Sequence, residues 1–175
     1  MGGAENRDPH RWTFGIRALT DQIPRAAVRT TLTYRLTPRL SVGVEYNPRA
    51  DDVGPLANFV AVTETRRRPA LIVGTSSDRI GTPSGRSFYA TVSKNLSDEL
   101  RLPIAPYAGV AYSTYEDRLR AIGGLDIHFR DDLSSQIIFD GVKVHPTINY
   151  ITGRHVFTFL LAQGKNPGVS YSISF

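Results

Sequence analysis

His145 follows Asp140 across the short connector Gly141-Val142-Lys143 in this 175-residue chain. A carboxylate that orients an imidazole, with a serine hydroxyl brought up from elsewhere, is the arrangement used for nucleophilic acyl hydrolysis. Ser76, Ser77 and Ser84 are the serines placed to supply that hydroxyl. No serine lies in a G-x-S-x-G turn, so no strained nucleophile elbow is encoded. The remaining histidines, His10, His128 and His155, show neither H-x-x-x-H nor H-E-x-x-H spacing, and there is no cysteine. Asp51-Asp52 and Glu116-Asp117 are solvated carboxylate pairs that attract a divalent ion only weakly. Gly81 to Gly85 lacks the lysine and helix of a phosphate cradle. No metal and no cofactor is expected.

The second chemical resource is arginine. Of 21 basic residues only Lys94, Lys143 and Lys165 are lysines, and the formal net charge is +5. The arginines are spread one or two per segment and lack interleaved aromatics, which argues against a nucleic-acid partner. Arg66-Arg67-Arg68 precedes Pro69 and reads as a solvated turn.

These residues must be positioned by strands. From Trp12 onward apolar residues recur with period two, in runs broken by Pro, Gly, Asp and Asn. Val28, Thr30, Leu32, Tyr34 and Leu36 oppose Arg29, Thr31, Thr33 and Arg35; Leu40, Val42, Val44 and Tyr46 oppose Ser41, Gly43, Glu45 and Asn47. With the run 12–18 these are followed by runs at 56–65, 69–75, 86–94, 104–113, 118–129, 133–140, 144–151, 155–163 and 168–175, twelve in all. Pro106 and Pro146 reduce the number to ten if their runs are loops, because proline donates nothing to a ladder. Runs 56–65 and 69–75 are apolar on both faces, which leaves their inward side open, and Ile122 breaks the pattern of 118–129. Tight turns at 37–39, 67–69, 95–99, 130–132 and 152–154 alternate with connectors at 21–24, 48–55, 76–85, 114–117, 141–143 and 164–167. One domain is expected: a flexible tail over residues 1–10, then an all-β, closed, antiparallel up-and-down barrel over 11–175.

No apolar stretch approaches the roughly 20 residues of a spanning helix, so the choice lies between a soluble barrel, apolar inside, and a transmembrane barrel, apolar outside. The polar faces carry Gly, Ser and Thr with scattered charge and almost no Lys, which suits a wet lumen better than a soluble surface. Trp12, Tyr34, Tyr46, Phe88, Tyr112, Phe129, Tyr150 and Tyr171 fall near strand ends, as interfacial girdles do.

The chain ends Val169-Ser170-Tyr171-Ser172-Ile173-Ser174-Phe175. This strand, with Tyr171, Ile173 and the terminal Phe175 on one face, resembles the C-terminal signature of bacterial outer-membrane β-barrel proteins; the resemblance covers this strand by motif and the rest by architecture. The segment Leu36 to Val42 resembles their periplasmic turns. The resemblance implies residence in the bacterial outer membrane, contact with its lipid and lipopolysaccharide, and recognition by the barrel-assembly machinery. It also implies an export signal; Met1 to Asp8 contains no apolar h-region, so a mature form is expected. Arginine facing lipid at mid-depth costs about 2–4 kcal/mol, so Arg17, Arg29, Arg35 and Arg120 are expected in the lumen, with Glu45, Asp126 and His128 as partners. The expected role is passive passage of small polar or anionic solutes. A lipid-modifying hydrolase, an accessory barrel and a soluble lipocalin-like barrel are the alternatives.

Overall fold

The computed structural model describes residues 9–20, 23–97 and 102–175. Its elements are β1 (Trp12–Leu19), α1 (Pro24–Ala27), β2 (Val28–Thr37), β3 (Leu40–Asn47), β4 (Asp52–Val62), β5 (Ala70–Ser77), β6 (Arg86–Ser93), β7 (Ile104–Ser113), β8 (Arg118–Arg130), β9 (Leu133–Phe139), β10 (Val144–Thr152), β11 (His155–Ala162) and β12 (Asn166–Ser174). Each strand pairs antiparallel with its neighbours in sequence, and β1 pairs with β12 to close the ring. The fold is an all-β, up-and-down closed barrel of twelve strands. Of the expected tail, residues 1–8 lie outside the described residues, as do Asp21 and Gln22 of the first connector and residues 98–101 near the 95–99 turn.

Both proline-containing runs are strands. The Pro106 carbonyl accepts the Lys94 N–H at 3.2 Å, so its nitrogen also faces β6, where pairing has already ended at Ser93 and Tyr107. The missing donor falls where the ladder stops. Pro146 likewise lies one residue before pairing with β11 begins at Thr147 and Leu160.

The ring has a short-turn end and a second, looped end, but the asymmetry is incomplete. Turns at 38–39, 131–132 and 153–154 are tight, whereas 63–69 and 94–103 on the same end are longer than their sequence suggested. An isolated bridge between Thr65 and Arg68 organises the first of these.

Apolar side chains point out from the barrel. Val53, Leu119 and Val169 are 63, 61 and 59% exposed, and exposed Phe, Tyr, Ile and Val continue around the wall. Trp12, Phe129 and Tyr150 lie at the short-turn end and Tyr46, Phe88 and Tyr112 at the other, all exposed, while Tyr34 and Tyr171 are half-buried. Trp12 and Tyr34 pack with ring centroids 4.7 Å apart.

The two runs that were apolar on both faces find their explanation inside. Val60 on β4 and Ala70 and Ile72 on β5 are buried and pack with Tyr89. Tyr89 lies across Gly74, its direct cross-strand partner, and its hydroxyl donates to Asn58 Oδ1 at 3.1 Å. Tyr107 lies across Gly124 in the same way. Each glycine leaves the flat space its tyrosine fills, an aromatic rescue within the sheet. Ile122, the misfit of its run, joins Ile72, Tyr89 and Tyr107 around a cavity of about 150 Å³.

A Cβ on Gly124 would stand 2.3 Å from the Ile137 carbonyl oxygen and 2.6 Å from the Tyr107 ring. Gly124→Val is therefore expected to destabilise the barrel by at least about 1–3 kcal/mol. Urea unfolding of detergent-refolded protein checks this, and an unchanged midpoint would show that the tyrosine and glycine do not pack as described.

Candidate functional site

Opposite the tyrosines, strands β12, β1 and β2 present only small polar side chains to the lumen until they reach two arginines. Ser174, Thr13 and Thr33 form one cross-strand row; Ser172, Gly15 and Thr31 the next; Ser170, Arg17 and Arg29 the third. The second and third rows border a cavity of about 250 Å³. A larger cavity of about 490 Å³ begins at Arg17, Arg29 and Ser170 and extends toward the looped end between Ser76, Gln136, Thr147, Asn149 and Thr158. Arg17, Arg29 and Ser170 line both cavities and mark the boundary between them.

Glu45 organises this region. It is 0% exposed and accepts from Arg29 Nε at 2.9 Å and from Arg86 Nη1 at 3.3 Å. Arg86 also donates to the Asp52 carboxylate at 2.9 and 3.2 Å and to the Val53 carbonyl. Pairing of β4 with β5 reaches no further than Ala57 and Thr75, so residues 52–56 form an edge without a β5 partner. Arg86 covers that edge, and Gly54 makes room for its guanidinium. A buried carboxylate shared by two guanidiniums satisfies the demand that buried charge be paired. Arg17 differs. Its Nε is sealed from solvent without a hydrogen-bond partner, and among the described residues no carboxylate stands within ion-pair distance of it.

A polar cap covers the looped end. Arg25, 3% exposed, donates to the carbonyls of Thr82 at 2.7 Å, Arg79 at 2.8 Å and Asp78 at 3.1 Å and to Thr82 Oγ1 at 2.7 Å. These bonds tie α1 to connector 78–85, and burial pushes Arg25 below the usual arginine range. Asp78 accepts the Ser113 hydroxyl and the Arg79 N–H. Glu116 accepts from Arg79 at 2.6 Å and Arg120 at 2.8 Å; these bonds hold its carboxyl down at about 2, and the same hydrogen bond raises Arg79. Ile23 and Ile80 pack on a small cluster of Leu19, Ala26, Leu160 and Ala162 beneath.

The expected meeting of Asp140 and His145 does occur, at 2.9 Å. Burial pushes the Asp140 carboxyl up, but the His145 ring and the Lys143 and Val142 amides outweigh it, leaving it below the usual carboxylate range. The His145 Nδ1 accepts the Gln163 backbone N–H at 3.0 Å, so Nε2 carries the proton given to Asp140. With both ring nitrogens engaged, none is left to take a proton from Ser76 or Ser77, although both line the same cavity. The pair pins connectors 140–143 and 163–165 together.

The structure therefore brings together Arg17, Arg29 and Glu45. Arg120 lies at the cap with Glu116, and Asp126 accepts the Gln136 amide N–H at 2.7 Å. Arg35 donates to the His10 carbonyl and His128 is exposed, both at the short-turn end and away from the boundary. Tyr171 and Ile173 sit on the outer face of β12, where the Tyr171 hydroxyl meets His155 Nδ1 at 2.8 Å. Phe175 and Trp12 exchange reciprocal backbone hydrogen bonds of 2.9 Å at the seam. Arg25, Arg79 and Arg86 were missed because they stand in connectors or at a strand start, where alternation carries no signal. No protein-family model matches the chain, and no curated protein matches it.

Glu45→Gln leaves two guanidiniums without their shared charge and is expected to cost about 3–5 kcal/mol in urea unfolding; a loss under one-fifth of that would show the pairing to be dispensable. Glu116 makes a pH prediction. Because its folded value is depressed from an ordinary 4.5 to about 2, its stabilisation is complete above the ordinary value and lost as pH falls toward the depressed one. Thermal unfolding from pH 5 to pH 2 should show this decline, and Glu116→Gln should flatten it; identical acid profiles would refute the linkage.

Proposed function

We propose that this barrel spans the bacterial outer membrane and passes small polar or anionic solutes through its lumen. The observation that carries the reading is the arrangement of polarity: apolar side chains cover the outer wall, while Arg17, Arg29 and Glu45 lie inside. In water an apolar surface running round a whole barrel is unfavourable, since soluble monomers rarely expose contiguous patches beyond a few hundred Å². In lipid the same surface is the stable one, and ring closure leaves no strand edge unsatisfied. Aromatic residues at both ends of the wall agree with two interfaces. The outward Tyr171, Ile173 and Phe175 stand where the assembly machinery of the outer membrane would meet them.

Within the lumen, Tyr89 and Tyr107 fill one side and the rows of Gly, Ser and Thr on β12, β1 and β2 leave the other open to water. The Arg17 and Arg29 guanidiniums at the boundary between the cavities favour anions, as charged rings do in pores. The cap formed by α1 and connector 78–85 narrows the looped end and restricts passage to small solutes. Hydrolysis is the less favoured reading, because His145 has no nitrogen left for a serine.

Detergent-refolded protein should show a β-type circular dichroism spectrum and a gel mobility that shifts on boiling. Planar bilayers should then show discrete conductance steps with anion preference, weakened or reversed by Arg17→Glu. Well-folded protein that never conducts would remove the channel, and monodisperse protein in plain buffer would remove the membrane.

A further inference from the structure

The larger cavity offers donors at its floor and acceptors on its wall. At the floor, Arg17 has a sealed Nε with no acceptor, and it stands directly across the β1–β2 ladder from another arginine, Arg29. Like charges placed opposite each other repel, and of the two only Arg29 is bonded to Glu45. The other arginines on the cavity each hold bonds within the protein, Arg29 to Glu45, Arg25 to carbonyls and Arg79 to Glu116, although Arg79 Nε too is sealed without a partner. Among the described residues Arg17 is the cavity arginine whose guanidinium holds no hydrogen bond, and a planar guanidinium matches a carboxylate through paired N–H bonds.

The wall is richer in acceptors, because several of its donors are turned toward the protein itself. Gln136 Nε2 is given to Asp126 at 2.7 Å, Asn149 Nδ2 to Ser134 at 3.3 Å, the Thr158 hydroxyl proton to Asn149 at 2.8 Å and the Thr147 hydroxyl proton to the Gln136 carbonyl at 3.3 Å. These side chains still present oxygen, the Gln136 Oε1 and the lone pairs of Thr147 and Thr158, beside one remaining N–H on each amide. A molecule that accepts at one end and donates along its body matches both. A carboxylate supplies the first and hydroxyl groups the second. The cavity of about 490 Å³ has the space of roughly 16 water molecules at about 30 Å³ each, enough for an acid of a few carbons.

We infer that this cavity is a binding site for a small hydroxylated carboxylate, a sugar acid or hydroxy acid, held by Arg17 through its carboxylate and by Gln136, Thr147 and Thr158 through its hydroxyls. The inference rests on the channel reading and names the class of solute for it. Inorganic anions satisfy Arg17 alone, fatty acids leave the wall oxygens without donors, and neutral polyols leave the guanidinium uncompensated.

Isothermal titration of the full chain folded in detergent tests this with gluconate, hexanoate and sorbitol as probes. Gluconate should bind saturably. Hexanoate and sorbitol should each bind about tenfold more weakly or worse, since hexanoate forfeits the hydrogen bonds to the wall and sorbitol the charged ones to the guanidinium. Arg17→Gln should lose gluconate binding by a similar factor while retaining the heat-dependent mobility shift, and Arg17→Lys should keep part of it. If Arg17→Gln does not fold, the comparison of probes on the unaltered protein still decides. Hexanoate binding as tightly as gluconate, or undiminished binding by folded Arg17→Gln, overturns the site. Bilayer currents recorded in parallel separate the two ideas: conductance without saturable gluconate binding removes the site and keeps the channel, whereas binding without conductance keeps the site and removes the channel.

Discussion

Closure of β1 against β12 is the constraint from which the rest follows. An up-and-down sheet left open would expose a row of unpaired N–H and C=O groups on each terminal strand, and only the meeting of the first and last strands removes them. The register from Thr13 and Ser174 to Leu19 and Gly168 is continued by the reciprocal bonds between Trp12 and Phe175. Once the ring is shut, strand alternation leaves no freedom: Trp12, Phe14 and Ile16 point out, and Gly15 and Arg17 face the lumen. A slip of one residue would exchange the two sets.

Twelve strands enclose more space than a packed core fills with backbone alone, and the two sides of the lumen handle it differently. On one side Tyr89 and Tyr107 lie flat over Gly74 and Gly124, so bulk and vacancy are matched across neighbouring strands. On the other, Ser, Thr and Gly leave room beside β12, β1 and β2. Charge is divided in the same uneven way. Glu45 bonds Arg29 and helps to hold Arg86 over the free edge of β4, while Arg17, beside Arg29 on both cavities, has no carboxylate bonded to it among the described residues.

The looped end is held by polar contacts more than by apolar packing. Arg25 gathers three carbonyls and a hydroxyl from connector 78–85, Glu116 links that connector to β8 through Arg79 and Arg120, and the Asp140–His145 pair secures a third corner. Linked bonds of this kind hold the connectors together. His145 shows how a constellation that suggests catalysis becomes structural when a backbone amide takes its second nitrogen.

Strand alternation is local, so the period of Val28 to Leu36 or Leu40 to Tyr46 was enough to count strands, to separate their two faces and to expect a closed barrel with Arg17, Arg29 and Glu45 on one of them. The sequence by itself also determined that β12 would alternate without interruption to Phe175. It did not determine which face of β4 and β5 turns inward, because both are apolar and the answer depends on Tyr89 reaching Val60 and Ile72 from another strand. Nor did it show that Glu45 would bind Arg86, that Arg25 would cross to Thr82, or that Asp126 would bind an amide. Those pairings join residues far apart along the chain, and only closure of the barrel sets the distances that decide which charge meets which.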